Sequence, residues 1–268
     1  MYKSTLISCM KIMDTIKLVY SDDMRISSTG SDINSDVGGK PKIVIHEGDM
    51  FEYALNQYKL HKVVTIHNFA NNDKAGLYTK NSTGDHVFMT NTQEEQLLRS
   101  SLVIRKERLR VWLPIELYPI CDGNNACLST KSVKFYADRC KSWTNYKDKP
   151  TVLLEDKHYI ADVVTAPAIS RPQVRNNKYV HDCDRQDTLN RMILVIHASK
   201  DSDVLITGLW GCGAFMHPIR EVINLWKTAI NLSKHFPKEI VFVYYVDTFT
   251  NTNDPTVNSQ TLHQILLS

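Results

Sequence analysis

Several marks that would assign a function at once are missing from this sequence. None of the six cysteines stands in a C-x-x-C pair. The scattered Cys9, Cys121, Cys127, Cys140, Cys183 and Cys212 therefore give no zinc signature, and reduced thiols without a metal are expected. No run of Lys or Arg forms a basic arm and the formal net charge is only +3, so direct nucleic-acid binding is not expected. No apolar stretch is long enough for a membrane span or a secretory leader, and residues 1–20 carry Lys3, Lys11, Asp14 and Lys17. An intracellular protein, cytoplasmic or nuclear, with no membrane partner is the expectation. There is no Gly-Lys-Ser/Thr of a phosphate-binding Walker loop and no G-x-G-x-x-G fingerprint. No internal repeat occurs.

What is present is ordinary globular composition. A chain of 268 residues, 43% hydrophobic and 23% charged, can bury a sizeable core. Short apolar runs rich in β-branched residues predict strands at 16–20, 42–46, 63–67, 160–166, 203–207 and 240–246, and 133–136 is a further candidate. Helical spacing predicts helices opened by Asp49 (Phe51, Leu55 and Tyr58 on one face), from Thr92 (Leu97, Leu98, Leu102), and over 187–200 (Leu189, Met192, Ile193, Ile196). Two more are expected from near Pro218 to about residue 235 and over 255–267, each with a proline near its first turn. Residues 21–40 and 70–91 read as loops, and the stretch from 103 to 150 is the least readable. Strands alternating with helices imply a layered α/β fold around a parallel or mixed sheet. One domain spanning 1–268 is expected, with 1–40 a partly looped N-terminal extension.

Three segments carry candidate chemistry. In Gly208-Leu209-Trp210-Gly211-Cys212-Gly213-Ala214-Phe215, a strand runs through glycines toward a helix. That arrangement gathers unpaired backbone N–H groups and suits an anion such as a phosphate. It also suits a plain tight turn. Thr92-Gln93-Glu94-Glu95 is a capping box, which needs no ligand. Two adjacent carboxylates in a first helical turn can also divide labour, one holding ribose hydroxyls and the other protonating a leaving oxygen. Asn68 and Asn71 follow a strand, where Asn either forms a turn or offers hydrogen bonds to a sugar. His67 and His217 lie close to these segments without an assigned role.

Taken together, Asn68-Phe69-Ala70-Asn71, Gln93-Glu94-Glu95-x-Leu97-x-Arg99-x-Ser101, Val163-Val164-Thr165-Ala166-Pro167-Ala168 and Gly208-x-Trp210-Gly211-Cys212-Gly213-x-Phe215 resemble the microbial-type poly(ADP-ribose) glycohydrolases of the macrodomain superfamily. The resemblance runs from about residue 43 to residue 246. It implies a three-layer α/β/α macrodomain with a mixed central sheet, binding ADP-ribose or poly(ADP-ribose) on modified proteins as a monomer and without a cofactor. By resemblance, Glu95 matches the acid that protonates the ribose–ribose O-glycosidic bond, and Glu94 the residue that holds neighbouring ribose hydroxyls. Asn71 matches a contact to the distal ribose, and Gln93 belongs to the same motif. Gly211, Cys212, Gly213, Ala214 and Phe215 match the second diphosphate loop, with Thr165 and Ala166 toward the adenosine side. The family's consecutive glycines before Gln-Glu-Glu are here Thr83, Gly84 and Asp85, which keeps one glycine at Gly84 and adds a negative charge near an anion. The sequence leaves three readings open: a glycohydrolase, a binding module that does not cut, or a hydrolase of a small ADP-ribose-like metabolite.

Overall fold

The computed structural model describes residues 16–20, 39–74, 78–80, 86–88, 92–101, 117–121, 125–136, 158–245, 254 and 256–268. The sheet is built from β1 (Ile16–Tyr20), β2 (Lys42–Glu47), β3 (Val64–Asn68), β6 (Ala126–Tyr136), β7 (His158–Thr165), β10 (Val204–Thr207) and β11 (Glu239–Tyr244). Its seven strands run in the order β1-β6-β7-β3-β10-β11-β2. From β7 to β2 every neighbouring pair is parallel, while β6 is antiparallel to both β7 and β1. The sheet is therefore mixed, as expected.

Helices cover both faces. On one face, α1 (Met50–Lys59) and α2 (Gln93–Ser101) pack Met50, Phe51, Ala54, Leu97 and Leu98 against Val64, Ile66, Val163, Val204 and Val241. On the other, α3 (Asp182–Ala198), α4 (Ile219–Leu232) and α5 (Ser259–Leu267) close over Val164, Leu205, Ile240 and Phe242. The strand alternation delivers this: Val163 faces one layer and Val164 the other. Asp49 caps α1 by accepting from the N–H groups of Phe51 at 2.7 Å and Glu52 at 3.2 Å.

Several boundaries differ from expectation. The 70–91 stretch is no simple loop, since β4 (Tyr78–Lys80) and β5 (His86–Phe88) pair antiparallel within it. Strand β6 begins at Ala126, seven positions before the expected start at 133, because a bulge between Thr130 and Val133 and a positive φ of 57° at Ser132 break the alternation. Helix α3 begins at Asp182, ahead of the expected 187, on a polar first turn with no apolar periodicity. Helix α5 begins at Ser259, where Asn258 and Thr261 cap each other reciprocally, so the start at Pro255 is corrected. A hairpin of β8 (Val174–Arg175) and β9 (Lys178–Tyr179) precedes α3, turned by Asn176 and Asn177 at φ of 50° and 57°. Residues 21–38, Leu102 and Gly84 with its neighbours Thr83 and Asp85 lie outside the described residues.

Candidate active site

Parallel α/β sheets present ligands to the loops beyond the carboxyl ends of their strands. Here β7, β3 and β10 are neighbours; β7 ends at Thr165 and β3 at Asn68, and the loops that follow the three strands contain residues 166–168, 69–71 and 208–215 in turn. These loops touch. The Ala166 N–H donates to the Asn68 carbonyl at 3.2 Å. The Trp210 indole N–H donates to the Ala166 carbonyl at 3.1 Å. A Cβ on Gly208 would stand 2.7 Å from the Val243 carbonyl and 3.4 Å from the Phe69 ring, so only glycine fits that junction.

The first turn of α2 brings the carboxylates in. Glu94 and Glu95 are buried, at 2% and 1% exposure, which places two acidic side chains at a helix N-terminus whose dipole favours negative charge. Glu94 accepts from the Asn68 side-chain amide at 3.4 Å, the Asn71 N–H at 3.3 Å and the Tyr118 hydroxyl at 3.4 Å. Asn68 also donates to the Thr165 hydroxyl at 3.2 Å. Burial and the Glu94 carboxylate both push the Tyr118 phenol up, so it stays a hydrogen-bond donor. Glu95 turns its Oε2 to Thr92, accepting from the backbone N–H at 3.1 Å and from the hydroxyl. That is the backward half of the capping box read from the sequence.

Gln93 links the start of α2 to the end of β3. Its Oε1 accepts from the Phe69 N–H at 2.8 Å and its Nε2 donates to the His67 carbonyl at 2.8 Å, so both ends of the amide are engaged by main chain. Asn71 spends its Oδ1 on the Asp73 N–H at 2.8 Å, the turn-forming role. Thr165 and Ala166 are fully buried where β7 runs into its loop.

The glycine loop keeps its donors. Gly211 has φ of 81°, a left-handed backbone that suits glycine. The N–H groups of Trp210, Cys212, Met216 and His217 donate to the carbonyls of Gly208, Leu209, Gly213 and Gly211. Among the described residues, the N–H groups of Gly211, Gly213, Ala214 and Phe215 have no protein acceptor. Gly213 and Ala214 are exposed and Gly211 and Phe215 half-buried, and a turn with open backbone donors is of the kind that can take an anion. Cys212 contributes neither group: its N–H is internal, and its thiol lies in the core, where burial pushes it up. Just past this loop, α4 begins after Pro218.

His67 is packed in the core between Phe69, Trp210 and Trp226, with Nδ1 2.9 Å from the Thr207 hydroxyl. Burial pulls it down to about 3, against an opposing interaction with the Ala166 backbone, so it is neutral. Its place is structural. Tyr118 is the site residue that sequence reasoning missed. It comes from a segment without periodicity, and no local signal marks it. Among the described residues no group of three or more His, Cys, Asp or Glu could hold a metal ion, and no described helix is long and apolar enough to cross a membrane.

A mixed sheet between two helical layers, with a glycine loop and a carboxylate-bearing helix start at adjacent strand ends, defines a macrodomain-type α/β/α fold. No family model matches the sequence, and neither does any curated protein. Among solved structures, a poly(ADP-ribose) glycohydrolase from Thermomonospora curvata superposes with a TM-score of 0.61 at 18% identity, over 97% of this chain and 87% of that one. The same protein bound to the inhibitor ADP-HPD gives 0.58 at 17% identity, over 97% and 87%. A poly(ADP-ribose) glycohydrolase from Deinococcus radiodurans in complex with ADP-ribose gives 0.60 at 17% identity, over 96% of both chains. The chain shares the fold of these structures.

Proposed function

We propose that this protein is a hydrolase that binds ADP-ribosyl groups and cuts the ribose–ribose O-glycosidic bond of poly(ADP-ribose) or a related substrate. The observation that carries the reading is the pair of buried carboxylates at the start of α2, on the loop side of a sheet whose next strand ends in four unclaimed backbone donors. A diphosphate occupies those donors through Gly211, Gly213, Ala214 and Phe215. Glu94, fixed by Asn68, Asn71 and Tyr118, holds ribose hydroxyls. Glu95, in its protonated form, gives its proton to the leaving glycosidic oxygen as the C–O bond breaks toward an oxocarbenium-like state, and water captures that state while its proton returns to the Glu95 carboxylate. The ADP-ribose-bound and inhibitor-bound neighbours support the ligand class. The proposed setting is intracellular, with a monomer reversing ADP-ribosylation on modified proteins.

A binder that does not cut is the second reading. Thr83-Gly84-Asp85 favours it, because side chains and a negative charge stand where the resembling family has glycines. Incubation with poly(ADP-ribose), together with calorimetric titration of free ADP-ribose, separates the two. Polymer loss with release of ADP-ribose supports the hydrolase. Binding without loss supports the reader, and neither rules out both.

A further inference from the structure

We infer that Tyr179 and His217 are positioning residues that hold the glycine loop in its ligand-binding shape, a role that rests on the ADP-ribose reading above. His217 is 1% exposed and lies 38 residues from Tyr179 in sequence. Its Nε2 is 2.7 Å from the Ile169 carbonyl, and its Nδ1 is 2.8 Å from the Tyr179 hydroxyl. A carbonyl only accepts, so Nε2 carries the hydrogen. In the neutral ring Nδ1 is then the acceptor, and Tyr179 donates to it. Burial favours this neutral form. The Ile169 carbonyl opposes that effect, the Arg191 guanidinium adds to it, and Asp184 opposes it.

The ring so fixed is the floor of the turn. A Cβ on Gly211 would come within 2.9 Å of His217 Cδ2, 3.0 Å of Cγ and 3.2 Å of the Ala168 Cβ. The His217 N–H also donates to the Gly211 carbonyl at 3.1 Å. At the other end of the loop, Trp210 is tied to Ala166. Arg191 of α3 holds the loop after β7 from behind, donating to the Pro167 carbonyl at 2.9 Å. The loop after β7 and the glycine loop are thereby clamped into one wall, and the four unclaimed N–H groups lie between its two fixed ends. Tyr179 reaches this clamp from the β8–β9 hairpin, outside the site itself. Tightening a pre-formed nest strengthens ligand binding without touching the acid that does the chemistry.

The test compares Tyr179→Phe, His217→Ala and His217→Gln with wild type, using ADP-ribose calorimetry, steady-state kinetics on poly(ADP-ribose) and amide NMR signals of Gly211, Gly213 and Ala214 in the free protein. Tyr179→Phe keeps the ring and loses one hydrogen bond. Its Kd and KM are expected to rise about fivefold to tenfold, with kcat within about twofold and the loop amides shifted. His217→Ala loses more, and His217→Gln, which again offers a donor and an acceptor, recovers part of the loss. If Tyr179→Phe melts earlier yet binds ADP-ribose with the wild-type Kd, the residues are merely structural and the inference is overturned. A wild-type protein that binds no ADP-ribose overturns the functional reading and this inference together, and the wild-type titration alone identifies that case.

Discussion

The side-chain amide of Gln93 is bonded to the chain at Phe69 as if it were one more strand, its Oε1 accepting the Phe69 N–H at 2.8 Å while Nε2 donates to the neighbouring His67 carbonyl. This cross-link sets where α2 begins relative to the end of β3, and so where the two carboxylates stand. Gln93→Ala leaves a part-buried donor and acceptor without partners. A loss of about 2–4 kcal/mol is expected, read from urea denaturation. Stability within experimental error of wild type would show that the loop holds without the amide.

The glycines of the second loop separate into distinct roles. Gly208→Ala drives a Cβ to 2.7 Å from the backbone carbonyl of Val243, and a cost of about 2–3 kcal/mol is expected. Gly213→Ala meets nothing within 4 Å and should leave stability within about 0.5 kcal/mol. Thermal unfolding of the two variants checks the contrast. Equal losses would mean that the loop is not packed as described.

Much of the fold was legible because its strands are apolar and bounded by polar turns. Strand β1 spans the residues read from the sequence, and β3, β10 and β11 fall within a residue or two. The first half of β6 was hidden because Ser129, Thr130, Lys131 and Ser132 interrupt its apolar pattern just where the bulge lies. In the site, the capping geometry of Thr92 and Glu95 was readable from local spacing. The role of Gln93 was not, since its partners are main-chain atoms brought close only by the sheet. Nor were Tyr118, Tyr179 and His217, whose partners lie far along the chain.

Acid should weaken the fold through His67. Its ordinary pKa of 6.5 holds in the unfolded chain, while burial lowers it to about 3 in the native one. Between those values the unfolded state binds the extra proton, so this contribution to stability is intact above about pH 6.5 and declines as pH falls toward 3. At pH 5 the loss from this one group is about 2 kcal/mol, and His217, lowered in the same direction, adds to it. Denaturation midpoints at pH 7 and pH 5 for wild type and His67→Gln check this. The variant is expected to have the flatter pH dependence, and parallel slopes would contradict the assignment.

Glu94 and Glu95 should differ in what they cost. Glu94 is held by Asn68, Asn71 and Tyr118, and on its proposed role in holding ribose hydroxyls Glu94→Gln should weaken binding and turnover together. Tyr118→Phe should produce a smaller change of the same kind, about threefold to tenfold. Steady-state kinetics on poly(ADP-ribose) with both variants checks this. A Tyr118→Phe protein indistinguishable from wild type would remove Tyr118 from the site.

The most direct test is a side-by-side assay of wild type and Glu95→Gln, measuring release of ADP-ribose from poly(ADP-ribose) and the Kd for free ADP-ribose. Removing the proton donor while keeping the side chain's shape should lower turnover by about 100-fold or more and leave Kd within about tenfold. Turnover at the wild-type rate in Glu95→Gln would contradict the assignment of Glu95 as the acid and the mechanism built on it.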